Sequence, residues 1–251
     1  MSLTSLNGLP TLHDRVQGVE RAINDADVAD QVVDAVLEFG RPFGIATVAM
    51  AHLVNPAAID LRSTKWFNVN NWPEEWADSW KDLRFMIHDP VARQAARTNR
   101  PFTWSAAYAL AGPEGRSILD RSRDFGFKDG IAIPIHSLAA PTGCVTLGAE
   151  RLDLSPLEHS ALQLVSHAAY SKLENLLGPF GPSKGDELTD REGEVMHWIA
   201  AGKSDWEVGA ILGVSQHTIR EHVRHACEKL GVSKRTAACA RAVSCGHILP
   251  A

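Results

Sequence analysis

The chain is predicted to fold as an α+β sandwich, an antiparallel sheet between helical layers, followed by an all-α helix-turn-helix unit. Three observations predict it. Residues 25–177 alternate stretches of helical hydrophobic period with stretches of two-residue period. The run Gly178-Pro179-Phe180-Gly181-Pro182-Ser183-Lys184-Gly185 has the composition of a linker and lies between two helical patterns. Residues 187–251 then carry helix signals alone, with starts and stops marked. The expected boundaries are a first domain at 1–177, a linker at 178–186 and a second domain at 187–251.

In the first domain the pattern predicts a helix over 25–39, strands over 44–53 and 59–67, and helices over 73–85, 90–98 and 115–124. Strands over 130–136 and 144–149 and a closing helix over 156–177 complete it. In the second domain, Thr189-Asp190-Arg191-Glu192 and Ser204-Asp205-Trp206-Glu207 both fit the S/T-x-x-E capping box. Hydroxyl and carboxylate there satisfy each other's backbone N–H groups, so helices begin after Thr189 and after Ser204. Gly202 and Gly213 sit where those helices must stop, because glycine accepts a left-handed backbone without a Cβ clash.

The next helix is resolved by angle. With Gln216 at zero and about 100° per residue, Ile219, Val223, Ala226 and Leu230 fall within roughly 280–340°. Arg220, Arg224, His217 and Glu221 fall within roughly 40–140°. One face is a stripe to be buried. The other offers two guanidiniums, an imidazole and a carboxylate, the donor and acceptor types that read base edges in the major groove. A plain helical bundle would show the same spacing.

Composition bounds the rest. With 45% hydrophobic and 22% charged residues in 251, this is globular protein with room for about two domains. No apolar run reaches membrane-spanning length and no N-terminal stretch suits secretion, so a cytoplasmic protein with no membrane partner is expected. Cys144, Cys227, Cys239 and Cys245 form no C-x-x-C pair, which argues against zinc and against a disulfide framework. The net charge of −5 lies in the first 182 residues, since 183–251 hold nine basic and nine acidic residues. From Arg220 onward six basic residues meet two acidic ones, which places positive field on the proposed reading helix.

One segment of the first domain stands apart. In Asn71-Trp72-Pro73-Glu74-Glu75-Trp76-Ala77-Asp78-Ser79-Trp80, three of the seven tryptophans recur every fourth residue, an arc of about 80° on one helix. Asp89-Pro90 follows. Large indoles with single N–H donors and one carboxylate acceptor suit a small amphipathic ligand bearing carbonyl and amide groups. The same residues also suit an ordinary aromatic core, with Asp89 as a helix N-cap and Pro90 at the first helical position.

Two sets of motifs resemble one family. Leu188-Thr189-Asp190-Arg191-Glu192-Gly193-Glu194-Val195, Ala201-Gly202-Lys203-Ser204, Val214-Ser215-Gln216-His217-Thr218-Ile219-Arg220-Glu221-His222-Val223 and Lys229-Leu230-Gly231-Val232 resemble the helix-turn-helix domain of LuxR-type regulators. Gly193, where that family has a charged helix former, and Met196, where it has leucine, depart without touching the DNA face; Gly193 is expected in an exposed first turn. Trp72, Trp76, Trp80, Asp89-Pro90, Pro101-Phe102-Thr103-Trp104 and Gly130 resemble in order the acyl-homoserine-lactone-binding domain of the same regulators.

The resemblance implies a quorum-sensing transcription factor that binds an N-acyl-homoserine lactone as regulatory ligand, without a further cofactor. By carry-over Trp76 donates its indole N–H to the lactone carbonyl, Asp89 accepts from the ligand amide and Trp104 walls the lactone end. Val91 lines the pocket and Thr146 donates a further hydrogen bond. Trp72 and Trp80 replace tyrosines common in the family, so a short, branched or aromatic acyl group is expected. At the DNA, Arg220 and Arg224 are expected on base edges with Glu221 and His217 nearby, and Lys203, Thr218 and His222 on phosphates. Promoter DNA, a second copy of the chain and RNA polymerase are the implied macromolecular partners, with Ala237, Ala240 and Val243 in the second dimer contact.

Other classes fit less well. There is no G-x-S-x-G elbow and no H-E-x-x-H, so an enzyme is not expected. His217, His222 and His225 share a helix, but beside a DNA face they are read as phosphate or solvent contacts rather than metal ligands. A phosphorelay receiver would need acidic residues clustered at early strand ends, which this N-terminal region lacks. The alternative is a LuxR-type solo regulator that senses a non-lactone small molecule.

Overall fold

The computed structural model describes residues 10–53, 64–65, 67–80, 83–136, 142–178, 181–182 and 187–249. In chain order the elements are α1 (Leu12–Asp25), α2 (Ala29–Gly40), β1 (Ile45–His52), β2 (Thr64–Lys65), β3 (Asn68–Asn70), α3 (Glu74–Ser79), α4 (Leu83–His88) and α5 (Pro90–Ala95). There follow β4 (Phe102–Thr103), α6 (Trp104–Leu110), α7 (Pro113–Ser122), β5 (Asp129–Ile135), β6 (Gly143–Ala149), α8 (Pro156–Leu177) and β7 (Gly181–Pro182). The last four are α9 (Asp190–Ala200), α10 (Asp205–Leu212), α11 (Gln216–Lys229) and α12 (Arg235–Ser244). The chain divides into two compact units, one holding 1–53, 67–135 and 142–178, the other holding 54–66, 136–141 and 179–251.

The first unit is the predicted α+β sandwich. Its sheet has the order β3-β1-β6-β5-β4, with every neighbouring pair antiparallel. Successive side chains on a strand point to opposite faces, and here the two faces differ in size. Val48, Met50, Ile131, Ile133, Val145 and Leu147 pack with the buried stripes of α1, α2 and α8 into one core. The other face presents Thr47, Ala49, Gly130, Ala132, Cys144, Thr146 and Gly148, small residues throughout. Ala132 and Cys144 on that face belong to a second core with Trp76, Val91, Trp104 and Ile118.

Several elements differ from expectation. Helix α1 begins at a capping box between Thr11 and Asp14 that the hydrophobic pattern alone left unread. The strand expected over 59–67 falls largely outside the described residues; Thr64–Lys65 pairs with Gly181–Pro182, and the partner of β1 is the later β3. Asn71 extends that edge, since its Oδ1 accepts from the Val48 N–H at 2.7 Å. The single helix expected over 73–85 is two, α3 and α4. Helix α3 stops because the Trp80 N–H turns to Ala77 O at 3.1 Å, an i−3 bond, while the Ser79 hydroxyl donates to Glu75 O at 3.1 Å. Short elements β4 and α6 were not expected at all; α6 is started by the Thr103 hydroxyl, which accepts from the Ala106 N–H.

In the second unit both predicted capping boxes are present, with Glu192 and Glu207 closing them. Gly202 and Gly213 take φ of 85° and 69°, the left-handed ends the sequence required. The expected stripe of α11 is buried: Ile219, Ala226 and Leu230 are enclosed and Val223 packs against both helical cores. Of the linker predicted over 178–186, residues 179–180 and 183–186 lie outside the described set. No described helix is long and apolar enough to cross a membrane.

Candidate ligand-binding face and DNA-reading helix

The small-residue face of the sheet is covered by aromatic side chains. Trp76 alone lies within α3, while Trp72 precedes it and Trp80 caps it, which corrects the expectation of three indoles on one helix. The rings still cluster: Trp72 lies 6.3 Å from Trp76 and 5.3 Å from Trp80, centroid to centroid. Trp76 is buried and meets Phe85 and Phe125 at 5.4 Å each and Phe127 at 6.3 Å. Phe85, Phe125 and Phe127 were not singled out in the sequence, because they come from two separate segments with no shared period.

Trp104 opens α6 and reaches Gly130 on β5 and Gly148 on β6. A Cβ on Gly130 would stand 2.6 Å from Trp104 Cε2, and one on Gly148 would stand 3.1 Å from Trp104 Cη2. Gly130 therefore needs to be glycine for the indole to approach the backbone, whereas an added Cβ at Gly148 would first meet the Thr47 side chain. The N–H groups of Trp80 and Trp104 are buried with no hydrogen-bond partner, as is the Thr47 hydroxyl. Unpaired buried donors are costly, so such a group in a native fold asks for an explanation.

Asp89 is the N-cap of α5, 3% exposed, and its two oxygens accept from Val91 N (2.9 Å) and Ala92 N (3.0 Å). Burial pushes its pKa up to about 6, against the opposing pull of those two backbone bonds. The capping role is thus real. Each carboxylate oxygen keeps a second acceptor direction, so capping and ligand contact are compatible. Buried Cys144 has its thiol pKa pushed up, by burial first and by the nearby Asp89 charge second. Val91 is buried in the same core as Trp76 and Trp104. Thr146, half-buried, stands between Ala49 and Ala132 on the face.

The structure therefore brings Trp72, Trp76, Trp80, Asp89, Val91, Trp104 and Thr146 to one side of one sheet. Thr47 is the polar residue of this face that sequence reasoning missed. The signal was the small/large alternation Thr47-Val48-Ala49-Met50, mirrored in Cys144-Val145-Thr146-Leu147-Gly148. An open cleft of about 330 Å³ beside α5 and α7, touching His88, Arg93, Arg97 and Glu114, includes none of these seven residues.

In the second unit, His217, Arg220 and Arg224 are exposed on α11 and Glu221 and His222 are partly so. Arg220 Nε lies 3.4 Å from Asp205 Oδ2, and Arg235 Nη1 meets the other oxygen of that carboxylate at 3.0 Å. Arg224 is held by Glu221 at 2.9 Å and by Glu228 at 2.6 Å, which raises its pKa and lowers that of Glu221. Lys203 Nζ lies 3.8 Å from Glu207, and the Thr218 hydroxyl is 2.9 Å from that of Ser215. These are exposed pairs, worth little each, so they orient the arginines without locking them. Among the described residues no group of three His, Cys, Asp or Glu side chains could hold a metal ion.

An α+β unit whose small-residue sheet face is covered by aromatic side chains, carried on one chain with a helical unit that exposes arginines on α11, fits the class of ligand-responsive transcription regulators. Comparison with known proteins agrees. The family model for the autoinducer binding domain matches residues 29–173, and that for bacterial regulatory proteins of the luxR family matches residues 186–242. Transcriptional activator protein BjaR1 of Bradyrhizobium diazoefficiens is 36% identical over 228 residues, 90% of each chain. The quorum sensing-dependent regulator RpaR of Rhodopseudomonas palustris is 37% identical over 182 residues, 72% of this chain and 74% of its own. Crystalline Escherichia coli SdiA shares the fold with a TM-score of 0.71 at 17% identity, covering 95% of this chain and 100% of that one. The chain belongs to the LuxR family of autoinducer-binding transcriptional regulators.

Proposed function

We propose that the protein binds an N-acyl-homoserine lactone on the small-residue face and, as a homodimer in the cytoplasm, binds promoter DNA to regulate transcription. The observation that carries this reading is Asp89, a buried carboxylate capping the helix whose Val91 packs in one core with Trp76 and Trp104, together with the N–H groups of Trp80 and Trp104 that lack partners. An acyl-homoserine lactone brings an amide N–H for the carboxylate and carbonyl oxygens for the N–H donors. Trp76 is assigned to the lactone carbonyl, Trp104 to the wall of the lactone end, and Trp72, Trp80, Val91 and Thr146 to the remaining contacts. The bulk of Trp72 and Trp80 favours a short, branched or aromatic acyl group.

On the DNA side Arg220 and Arg224 are assigned to base edges with Glu221 and His217, and Lys203, Thr218 and His222 to phosphates. Dimerisation aligns two such readers with a two-fold symmetric operator, and RNA polymerase is the downstream partner. The linker over 178–186 joins the two functions. The proposal is tested by dose-response of a reporter against a panel of lactones. Best activation by a straight chain of about ten or more carbons would overturn the acyl assignment. Full response after Asp89→Ala would overturn the site. A non-lactone ligand is the second reading, since a protein of this fold, SdiA, has been solved in complex with octanoyl-rac-glycerol. Response to no lactone in the panel would favour it.

A further inference from the structure

We infer that Thr47 is a specificity-determining residue of this site, its hydroxyl hydrogen-bonding an oxygen of the lactone ring. The inference rests on the lactone reading above and adds a contact which that reading does not contain. Thr47 sits on β1 directly opposite Gly148 on β6. It is 6% exposed, yet its Oγ1 has no hydrogen-bond partner. A hydroxyl in a strand interior normally finds a carbonyl or another side chain, and one left bare keeps an unrecovered desolvation cost.

Its neighbours say what would complete it. The space a Cβ would fill at Gly148 is bounded by Thr47 Oγ1 on one side and by Trp104 Cη2, at 3.1 Å, on the other. The hydroxyl therefore stands at the benzo edge of the indole assigned to the lactone end. Ala49, Ala132 and Gly130 on the same face carry no side-chain polar atom, and Thr146, diagonally across on β6, leaves the hydroxyl unpartnered. A ligand ring seated against Trp104 meets a hydroxyl there, and the oxygens of a lactone ring are acceptors that satisfy it. A hydrocarbon ring of the same size would leave the hydroxyl buried and bare. Specificity built in this way is strong because the penalty falls on the wrong ligand.

The test uses matched probe pairs: N-acyl-homoserine lactones and N-cyclopentyl amides carrying the same butanoyl, 3-methylbutanoyl or benzoyl group. The ring oxygens are the difference within each pair. Affinities are read from ligand-dependent thermal stabilisation of the full chain for the parent, Thr47→Val and Thr47→Ser. Thr47→Val should weaken lactone binding about five- to tenfold, the effect of one neutral hydrogen bond, and should leave or improve binding of the cyclopentyl amide. Thr47→Ser keeps the hydroxyl and should retain most of the parent's preference. Equal losses for both probes in Thr47→Val, or an unchanged ratio, would overturn the role of Thr47 while leaving the lactone reading intact. Failure of every lactone to stabilise the parent would overturn the lactone reading itself, and this contact with it.

Discussion

At the scale of single residues, Asp89 joins stability to function. Its folded pKa, about 6, lies above the ordinary 3.8 because burial penalises the charged form. A carboxyl raised in this way adds stability below its unfolded pKa and loses it as pH rises through the folded value. The protonated carboxyl is the favoured buried form, so the ligand-free protein should gain stability as pH falls from 7 toward 4. The span is about 3 kcal/mol at most. Thermal unfolding against pH should show that slope in the parent. Asp89→Asn should flatten the slope and destroy the response to ligand. A slope that survives in Asp89→Asn would show that another group causes it. The same carboxylate caps α5, so the Asn variant, a good N-cap itself, is a cleaner test than Ala.

At the scale of elements, the reader was the more legible part. Capping boxes at Thr189 and Ser204 and glycines at 202 and 213 act within one turn, and local chemistry of that kind survives any tertiary context. Position 193 needs one correction: Gly193 is partly buried rather than exposed, beneath the His247 carbonyl. An added Cβ would meet that oxygen at 3.7 Å, an ordinary contact. Gly193→Ala should therefore stabilise α9 by about 0.5–1 kcal/mol, measured by chemical denaturation, and a loss of stability would mean the C-terminal turn has no room. On α11, Arg220 is held toward Asp205 and Arg224 between two glutamates. Arg220→Ala should cost sequence discrimination with the fold intact, read as the ratio of operator to random-DNA affinity at fixed salt. An unchanged ratio would remove Arg220 from base recognition. The sensor elements were less legible because α3, α4, β4 and α6 are too short for a hydrophobic period to mark them.

At the scale of the whole molecule, a ligand enclosed in the first unit acts by mass action on its folded state. A ligand at one hundred times its dissociation constant should stabilise that unit by about 2.7 kcal/mol, visible as a shift in the denaturation midpoint. No shift with a lactone that activates the reporter would separate response from folding. The sequence by itself determined the sandwich and the helical reader, whereas the candidate site came from resemblance to a family, because the same residues also suit an ordinary aromatic core. Helix caps, strand alternation and a specific order of tryptophans and Asp-Pro are short-range signals that each residue carries with it. Tertiary structure alone decided the rest: Phe85, Phe125 and Phe127 converging on Trp76, Trp104 reaching Gly130 and Gly148, and Thr47 left bare beside it. Those contacts join segments far apart in the chain, and whether a buried polar atom finds a partner depends on which strands become neighbours.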